Sequence, residues 1–205
     1  MTEKKQHIGV YGGSFDPVHF GHLRPVLEVK NSLNLDQLRF IPSGNPPHRS
    51  GPRASASDRV AMLDLAITGS PELIIDRREI GKPKPSYTLD TLISLQSDFP
   101  EAAFTLVVGM DQFSVFDTWH RWRDILAIAT LAVMERPGES LSAVASDILS
   151  GDFASGISIV PVTQLDISSS RIRQDLQQGT NIRYLLPYVV RQYIIDHKLY
   201  TGSAL

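Results

Sequence analysis

The run Ile8-Gly9-Val10-Tyr11-Gly12-Gly13-Ser14-Phe15-Asp16-Pro17-Val18-His19-Phe20-Gly21-His22-Leu23 constrains the rest of the chain most. A short apolar segment passes through two adjacent glycines into a helical pattern. That order predicts a strand, a tight turn and a helix N-terminus. Gly12 and Gly13 lack a Cβ, so a ligand can approach the backbone closely there. The helix that follows presents unpaired N–H groups and the positive end of its dipole, a ready anion site. His19 and His22 are three residues apart and share a helix face. Two imidazoles beside a glycine turn at a helix start suit a polyphosphate.

Further along, apolar β-branched runs alternate with longer amphipathic segments. Strands are expected at 8–11, 37–42, 73–76, 104–108, 131–134 and 157–160. Helices are expected at 21–32, from a cap at Ser57 or Asp58 through Ile67, at 88–99, at 170–178 closed by Gly179, and at 187–197. Prolines, glycines and serines make loops of 43–57 and 77–86. Such alternation implies an α/β fold: a doubly wound, Rossmann-like, mostly parallel sheet with helices on both faces. Ligands in such sheets bind outside the carboxyl ends of the strands, where strand order reverses. Four motifs follow strands: Gly12-Gly13, residues 45–49, Gly109-Met110-Asp111, and Arg136. Their common position after strands points to a single site at one sheet edge.

A length of 205 residues suits one domain, here with a small helical C-terminal part over about 168–205. The 42% hydrophobic content is enough for a full core. A formal net charge of −2 gives no basic field for nucleic acid or an anionic membrane. Cysteine is absent, which excludes disulfides and thiolate-held zinc and suits the cytoplasm. Residues 1–6 are polar, so no secretory signal is expected. No apolar run approaches the roughly 20 residues that span a bilayer. Oligomeric state is not readable from the chain.

Near the end stands Asp166-Ile167-Ser168-Ser169-Ser170-Arg171-Ile172-Arg173. Serines before a helical pattern are good N-caps. Taken alone, the segment favours a plain cap with surface arginines. Its hydroxyls, free N–H groups and Arg173 also suit a phosphate.

Together the two segments resemble the signatures of the nucleotidyltransferase superfamily, G-G-x-F-D-P-x-H-x-G-H and I-S-S-T-x-I-R, with Ser170 in place of the threonine. The H-x-G-H element is shared with class I aminoacyl-tRNA synthetases. Asn45-Pro46-Pro47-His48-Arg49 resembles the P-P-H-K loop of nicotinate-nucleotide adenylyltransferases, with arginine for lysine. Ser86-Tyr87-Thr88-Leu89-Asp90-Thr91-Leu92 resembles that family's S-Y-T-x-x-T-L run, and Gly109-Met110-Asp111 with Trp119 its G-x-D…W block. Arg136-Pro137-Gly138 resembles its R-P-G, and Tyr184-Leu185-Leu186-Pro187 its C-terminal Y-L-L-P helix.

The resemblance implies adenylyl transfer from ATP to nicotinate mononucleotide, giving nicotinate adenine dinucleotide and pyrophosphate in NAD biosynthesis. It implies that Gly12, Gly13, Ser14, Phe15, His19, His22, Gly109, Asp111, Arg136, Ser168, Ser169 and Arg173 bind ATP. His19, His22 and Arg173 would be catalytic, with His22 nearest the reacting centre. His48, Tyr87, Thr88, Thr91 and Trp119 would hold nicotinate mononucleotide. Magnesium would arrive with ATP, since the chain has no carboxylate cluster for a dedicated metal cage. No cysteine and no serine elbow suggests a covalent intermediate, so the acceptor phosphate would attack ATP directly.

Competing readings are another adenylyltransferase of this fold, with a nicotinamide mononucleotide or phosphopantetheine acceptor, a synthetase, or a non-catalytic nucleotide-binding module. The same fold also carries cytidylyltransferases; the Trp119 block and the P-P-H loop argue against these and against phosphopantetheine, the lack of K-M-S-K-S against a synthetase, and the intact histidines and Arg173 against a silent module. Asp16 reads as a turn anchor, and Asp90 and Asp98 as a solvated helix face. His120 and His197 lie in no motif, and the sequence assigns them no role. Arg121 and Arg123 are left open between solvent and substrate phosphate.

Overall fold

The computed structural model describes residues 5–44, 53–82, 86–135 and 142–201. Strand β1 (His7–Gly13) leads into helix α1 (Phe20–Ser32), then β2 (Gln37–Pro42), α2 (Ala56–Ile67), β3 (Leu73–Ile75), α3 (Thr88–Asp98) and β4 (Ala103–Gly109). There follow α4 (Met110–Phe113), a 3-10 turn (Phe116–Thr118), α5 (Trp122–Ile128), β5 (Ala129–Glu135) and α6 (Ala143–Ser150). A 3-10 turn (Ala154–Gly156), β6 (Ile157–Pro161), α7 (Ser169–Gln177) and α8 (Tyr188–Asp196) complete the described elements. β1, β2, β4 and β6 end at Gly13, Pro42, Gly109 and Pro161, residues that weaken a ladder.

The strands form one six-stranded sheet in the order β3-β2-β1-β4-β5-β6, and every neighbouring pair is parallel. Two-residue alternation sends side chains to two separate cores. Leu38, Phe40, Val107, Ala132 and Met134 face α1, α2, α7 and α8. Ile8, Val10, Ile41, Leu106, Val108, Leu131 and Val133 face α3, α4, α5 and α6. The sheet is thus covered on both faces, as an all-parallel sheet requires. The C-terminal helices share the first core: Ile172, Ile182, Leu186, Val190 and Ile194 pack with Val26, Val29, Met62 and Leu63.

The strand register makes the crevice. β1 pairs with β4 only from His7↔Ala103 to Val10↔Leu106. The β1–β2 ladder runs on to Gly13↔Pro42, and the β4–β5 ladder to Gly109↔Met134. Beyond Val10 the two half-sheets therefore separate, and the gap lies at the carboxyl ends where strand order reverses.

Some expectations shift. Helix α2 starts earlier than expected, because Ser55, not Ser57 or Asp58, is its cap: Ser55 Oγ accepts the Asp58 N–H at 3.1 Å. Trp119 follows a 3-10 turn, and α5 begins at Trp122 after Arg121 in the left-handed region. Helices α4, α5 and α6 span 4, 7 and 8 residues, too short to show a full helical period in sequence. Among the described residues no helix is long and apolar enough to cross a membrane.

Candidate active site

After Gly13 the chain makes a tight turn before α1. Phe15 sits there at φ 49° with its ring fully buried. That ring lies under Gly13, where an added Cβ would come within 2.9 Å of it. It also stands edge-on to the His22 ring at 5.3 Å. Phe15 therefore supports the turn with its side chain, and only its backbone is left to meet a ligand. Helix α1 opens at His19, and the His19 and His22 rings stack at 3.8 Å with planes 24° apart. Gly21, between them, is needed for close approach: a Cβ there would lie 3.0 Å from the Ile167 carbonyl.

Both histidines are neutral. Burial, helped by the neighbouring His22, pulls the His19 pKa down to about 2. Burial lowers His22 to about 4. Neither Nδ1 has a hydrogen-bond partner. The tautomer protonated on Nε2 avoids a buried unpartnered N–H and leaves each ring one N–H to donate. Paired neutral donors at a helix start suit an anion.

The turn is held from four directions. Asp16, 3% exposed, accepts the N–H groups of Arg53 and Ala54 at 2.8 and 3.0 Å and the Tyr200 hydroxyl at 2.7 Å. Burial and the Asp16 carboxylate push the Tyr200 phenol far up, so it stays a donor. Arg59, 1% exposed, donates to the Ser14 carbonyl at 2.7 Å and the Ser43 carbonyl at 2.8 Å. It thereby ties the segment after β1 to the segment after β2. From α7, Ser169 Oγ donates to the Pro17 carbonyl at 2.9 Å, and Arg173 donates to the Asp16 carbonyl at 2.6 Å. Asp16 is thus the turn anchor its position before Pro17 suggested.

Ser168 caps α7 by accepting the Arg171 N–H at 3.2 Å. The plain-cap reading of this segment is correct for Ser168, yet Arg173 is no surface arginine. It faces Asp16 and also donates to Ser170 Oγ at 3.1 Å. The N-terminal and C-terminal signatures, more than 140 residues apart in sequence, meet here side chain to backbone. Gly12 is open, with nothing within 4 Å of an added Cβ. Gly109 and the exposed Asp111 stand at the end of β4, across the switch point from Gly12 and Gly13.

The other half of the expected site is looser. Tyr87, 39% exposed, precedes α3, and its ring lies 4.5 Å from that of His120. Trp119 is half-buried against Phe116, with ring centroids 5.1 Å apart. Thr88 opens α3. Thr91 is 2% exposed, and its hydroxyl donates to Glu79 at 2.6 Å, so it ties α3 to the segment after β3. Burial raises the Glu79 carboxyl pKa. Ser86 Oγ is buried and has no partner. His48 and Arg136, with the P-P-H and R-P-G runs, lie outside the described residues.

Several functional-looking residues were not anticipated. Arg59 was detectable, since it falls three and four residues before Met62 and Leu63 on the buried face of α2. Tyr200, Glu79 and His120 gave no local signal, because their partners are distant in sequence. Arg121 and Arg123 turn to the surface: Arg121 pairs with Asp124 at 2.6 Å, and Arg123 lies over the Trp122 ring at 4.3 Å. Asp98 is not simply solvated, since it also receives Arg78 at 3.0 Å.

The donors at this site are imidazole, guanidinium and backbone N–H, which suit phosphate oxygens rather than a cation. Among the described residues no cluster of three or more His, Asp or Glu side chains forms a metal cage.

Fold and turn together define a nucleotidyl-transferring α/β protein, and a family model described as cytidylyltransferase-like matches residues 10–175. A probable nicotinate-nucleotide adenylyltransferase of Hydrogenovibrio crunogenus is 43% identical over 202 residues, covering 94% of this chain and 97% of its own. One of Pseudomonas syringae pv. tomato is 42% identical, covering 98% and 96%. The solved Plasmodium falciparum nicotinic acid mononucleotide adenylyltransferase complexed with NaAD superposes with a TM-score of 0.77 at 20% identity, covering 95% and 97% of the two chains. The chain belongs to the nicotinate-nucleotide adenylyltransferase family.

Proposed function

We propose that this chain transfers the adenylyl group of ATP to nicotinate mononucleotide. The acceptor's phosphate oxygen attacks the α-phosphorus as the bond to the β-phosphate oxygen breaks. Pyrophosphate leaves, and nicotinate adenine dinucleotide forms. With no covalent enzyme intermediate, catalysis is positioning plus charge stabilisation. One observation carries this reading: α7 docks on the turn after β1, so that Arg173 and the His19–His22 pair border the same turn.

In this scheme Gly12, Gly13 and Ser14 let the triphosphate lie against the backbone. His19 and His22 donate N–H groups to its oxygens, and Arg173 adds a charge-assisted contact. Charge developing on the bridging oxygen is met by donors already in place, with His22 nearest the reacting centre. Ser168 and Ser169 keep the start of α7 in position. Gly109 and Asp111, with Arg136, take the adenosine half. Tyr87, Thr88 and Trp119, with His48, take the nicotinate half, and Thr91 supports them through Glu79.

Magnesium enters as part of the substrate, Mg-ATP, and is held by phosphate oxygens and water. A cytoplasmic enzyme acting on two small nucleotides, with neither nucleic acid nor membrane as partner, fits the composition. The test is pyrophosphate release from ATP against a panel of acceptors: nicotinate mononucleotide, its amide and phosphopantetheine. Turnover confined to phosphopantetheine would overturn the assignment.

A further inference from the structure

The acceptor side rests on two segments from different βα units. One is the start of α3, carrying Ser86, Tyr87 and Thr88. The other is the corner before α5, carrying Trp119 and His120. Among the described residues no hydrogen bond joins Tyr87–Thr91 to the corner Trp119–Asp124. What joins them at the surface is a single ring pair: Tyr87 on His120, 4.5 Å between centroids with planes 34° apart.

Tyr87 stands two residues before, and His120 one residue after, a position that the core holds. Tyr87 precedes α3, whose Leu89 and Leu92 are buried, and its side chain caps nothing. His120 follows Trp119, whose ring packs on the fully buried Phe116. The free N–H groups of the first turn of α3 lie at the Tyr87 end. The buried, unpartnered hydroxyl of Ser86 lies there too. A buried polar group without a partner points to a ligand that supplies one.

We infer that His120 is a specificity-determining positioning residue: its ring clasps Tyr87 and so sets the spacing between the start of α3 and the Trp119 plane, into which the acceptor's aromatic base fits. The inference rests on the acceptor-side reading above. The clasp acts on acceptor affinity and not on ATP, because the His19–His22 turn is held by a separate set of bonds through Asp16, Arg59 and α7.

The test is steady-state kinetics of the full chain with Mg-ATP and nicotinate mononucleotide. His120→Ala is expected to raise KM for the acceptor about three- to tenfold, the scale of one lost aromatic pair. KM for ATP and kcat at saturating acceptor stay within about twofold by the same reckoning. His120→Phe, which keeps a ring face, restores the acceptor KM, whereas His120→Leu, which keeps only bulk, does not. In a Tyr87→Ala background, His120→Ala adds nothing further. Unchanged acceptor KM in His120→Ala, or equal defects in the Phe and Leu variants, would overturn the clasp. So would a rise in ATP KM that matches the rise for the acceptor. If the wild type works only on another acceptor, that result overturns the proposed substrate alone, and the same split is then read on the acceptor that is used.

Discussion

Three donors reach the Asp16 carboxylate and Arg173 reaches its carbonyl, whereas the Tyr87 side chain meets one ring. His19 is 3% exposed and Tyr87 39%. The turn after β1, the proposed triphosphate side, is an interlocked set of dipoles. The proposed acceptor side is aromatic, open and lightly tied. Charge stabilisation gains most from donors that need no reorganisation, so the first arrangement suits the reacting phosphates. Recognition of a base tolerates adjustment and is limited by the ordering it demands, which suits the second. Substitutions on the first side should therefore fall on kcat, and those on the second on KM for the acceptor.

The largest expected effect tests the first half of that contrast. His22→Ala should lower kcat by about 10²-fold or more, the usual scale for removing one preorganised donor. ATP affinity should fall much less, since the other phosphate contacts remain. Turnover near that of the wild type in the folded variant would remove His22 from the mechanism.

Preorganisation has a measurable cost below neutral pH. His22 has a native pKa of about 4 and His19 about 2, both under the ordinary value of 6.5. Between pH 6.5 and about 4 the unfolded chain binds protons that native His22 refuses. Stability is therefore full above pH 6.5 and is lost as pH falls, with His19 extending the loss toward pH 2. At about pH 5 the contribution of His22 amounts to about 2 kcal/mol, at 1.36 kcal/mol per pKa unit. Urea unfolding at pH 7.5 and pH 5 should show more than that drop, because His19 adds its own, and His22→Asn should lose less. Equal losses in both proteins would mean that His22 titrates normally.

What the sequence revealed follows the same division. The turn after β1 was legible because its chemistry is local: glycines, two histidines and a helix start lie within one run. The strands of the sheet were legible because long apolar runs flanked by glycine or proline have few alternatives. The contacts that tie the turn down were not legible. Arg59 reaches back to Ser14 and Tyr200 reaches back to Asp16, contacts that only the fold creates. The acceptor corner was not legible for another reason. A 3-10 turn, a left-handed Arg121 and a seven-residue helix carry too little periodicity to be seen.

Arg173 lies at the border of the two behaviours. It is half committed to protein, through the Asp16 carbonyl and Ser170, and half available to phosphate. Arg173→Ala should raise KM for ATP about tenfold or more, because a charge-assisted hydrogen bond is worth about 1.5–3 kcal/mol. It should also slow turnover. Arg173→Lys should recover only part of this, since lysine cannot donate to carbonyl and phosphate in one plane. Unchanged ATP kinetics in Arg173→Ala would reduce the segment from Ser168 to Arg173 to a helix cap.

The smallest effect belongs to the open side and concerns choice of acceptor. Nicotinate and nicotinamide mononucleotide differ by a carboxylate in place of a carboxamide. The first turn of α3 offers unpaired N–H groups and the positive end of an 11-residue helix, which favour the anion. A carboxamide brings its own N–H donors, so one of them faces a donor and leaves it unpaired. Such a loss costs about 1–3 kcal/mol when buried. Tyr87 is exposed and the corner is lightly tied, so the lower end of that range applies. At 1.4 kcal/mol per decade, discrimination in kcat/KM should be about five- to tenfold in favour of nicotinate mononucleotide. Trp119→Ala should weaken both acceptors by a similar factor and leave their ratio standing, because stacking reads the ring and not its substituent. Measurement of kcat/KM for both acceptors at saturating Mg-ATP, in wild type and Trp119→Ala, separates the two contributions. Equal values in the wild type would show that the α3 terminus does not read the carboxylate. A ratio that collapses in Trp119→Ala would show that the tryptophan, not the helix start, sets the choice.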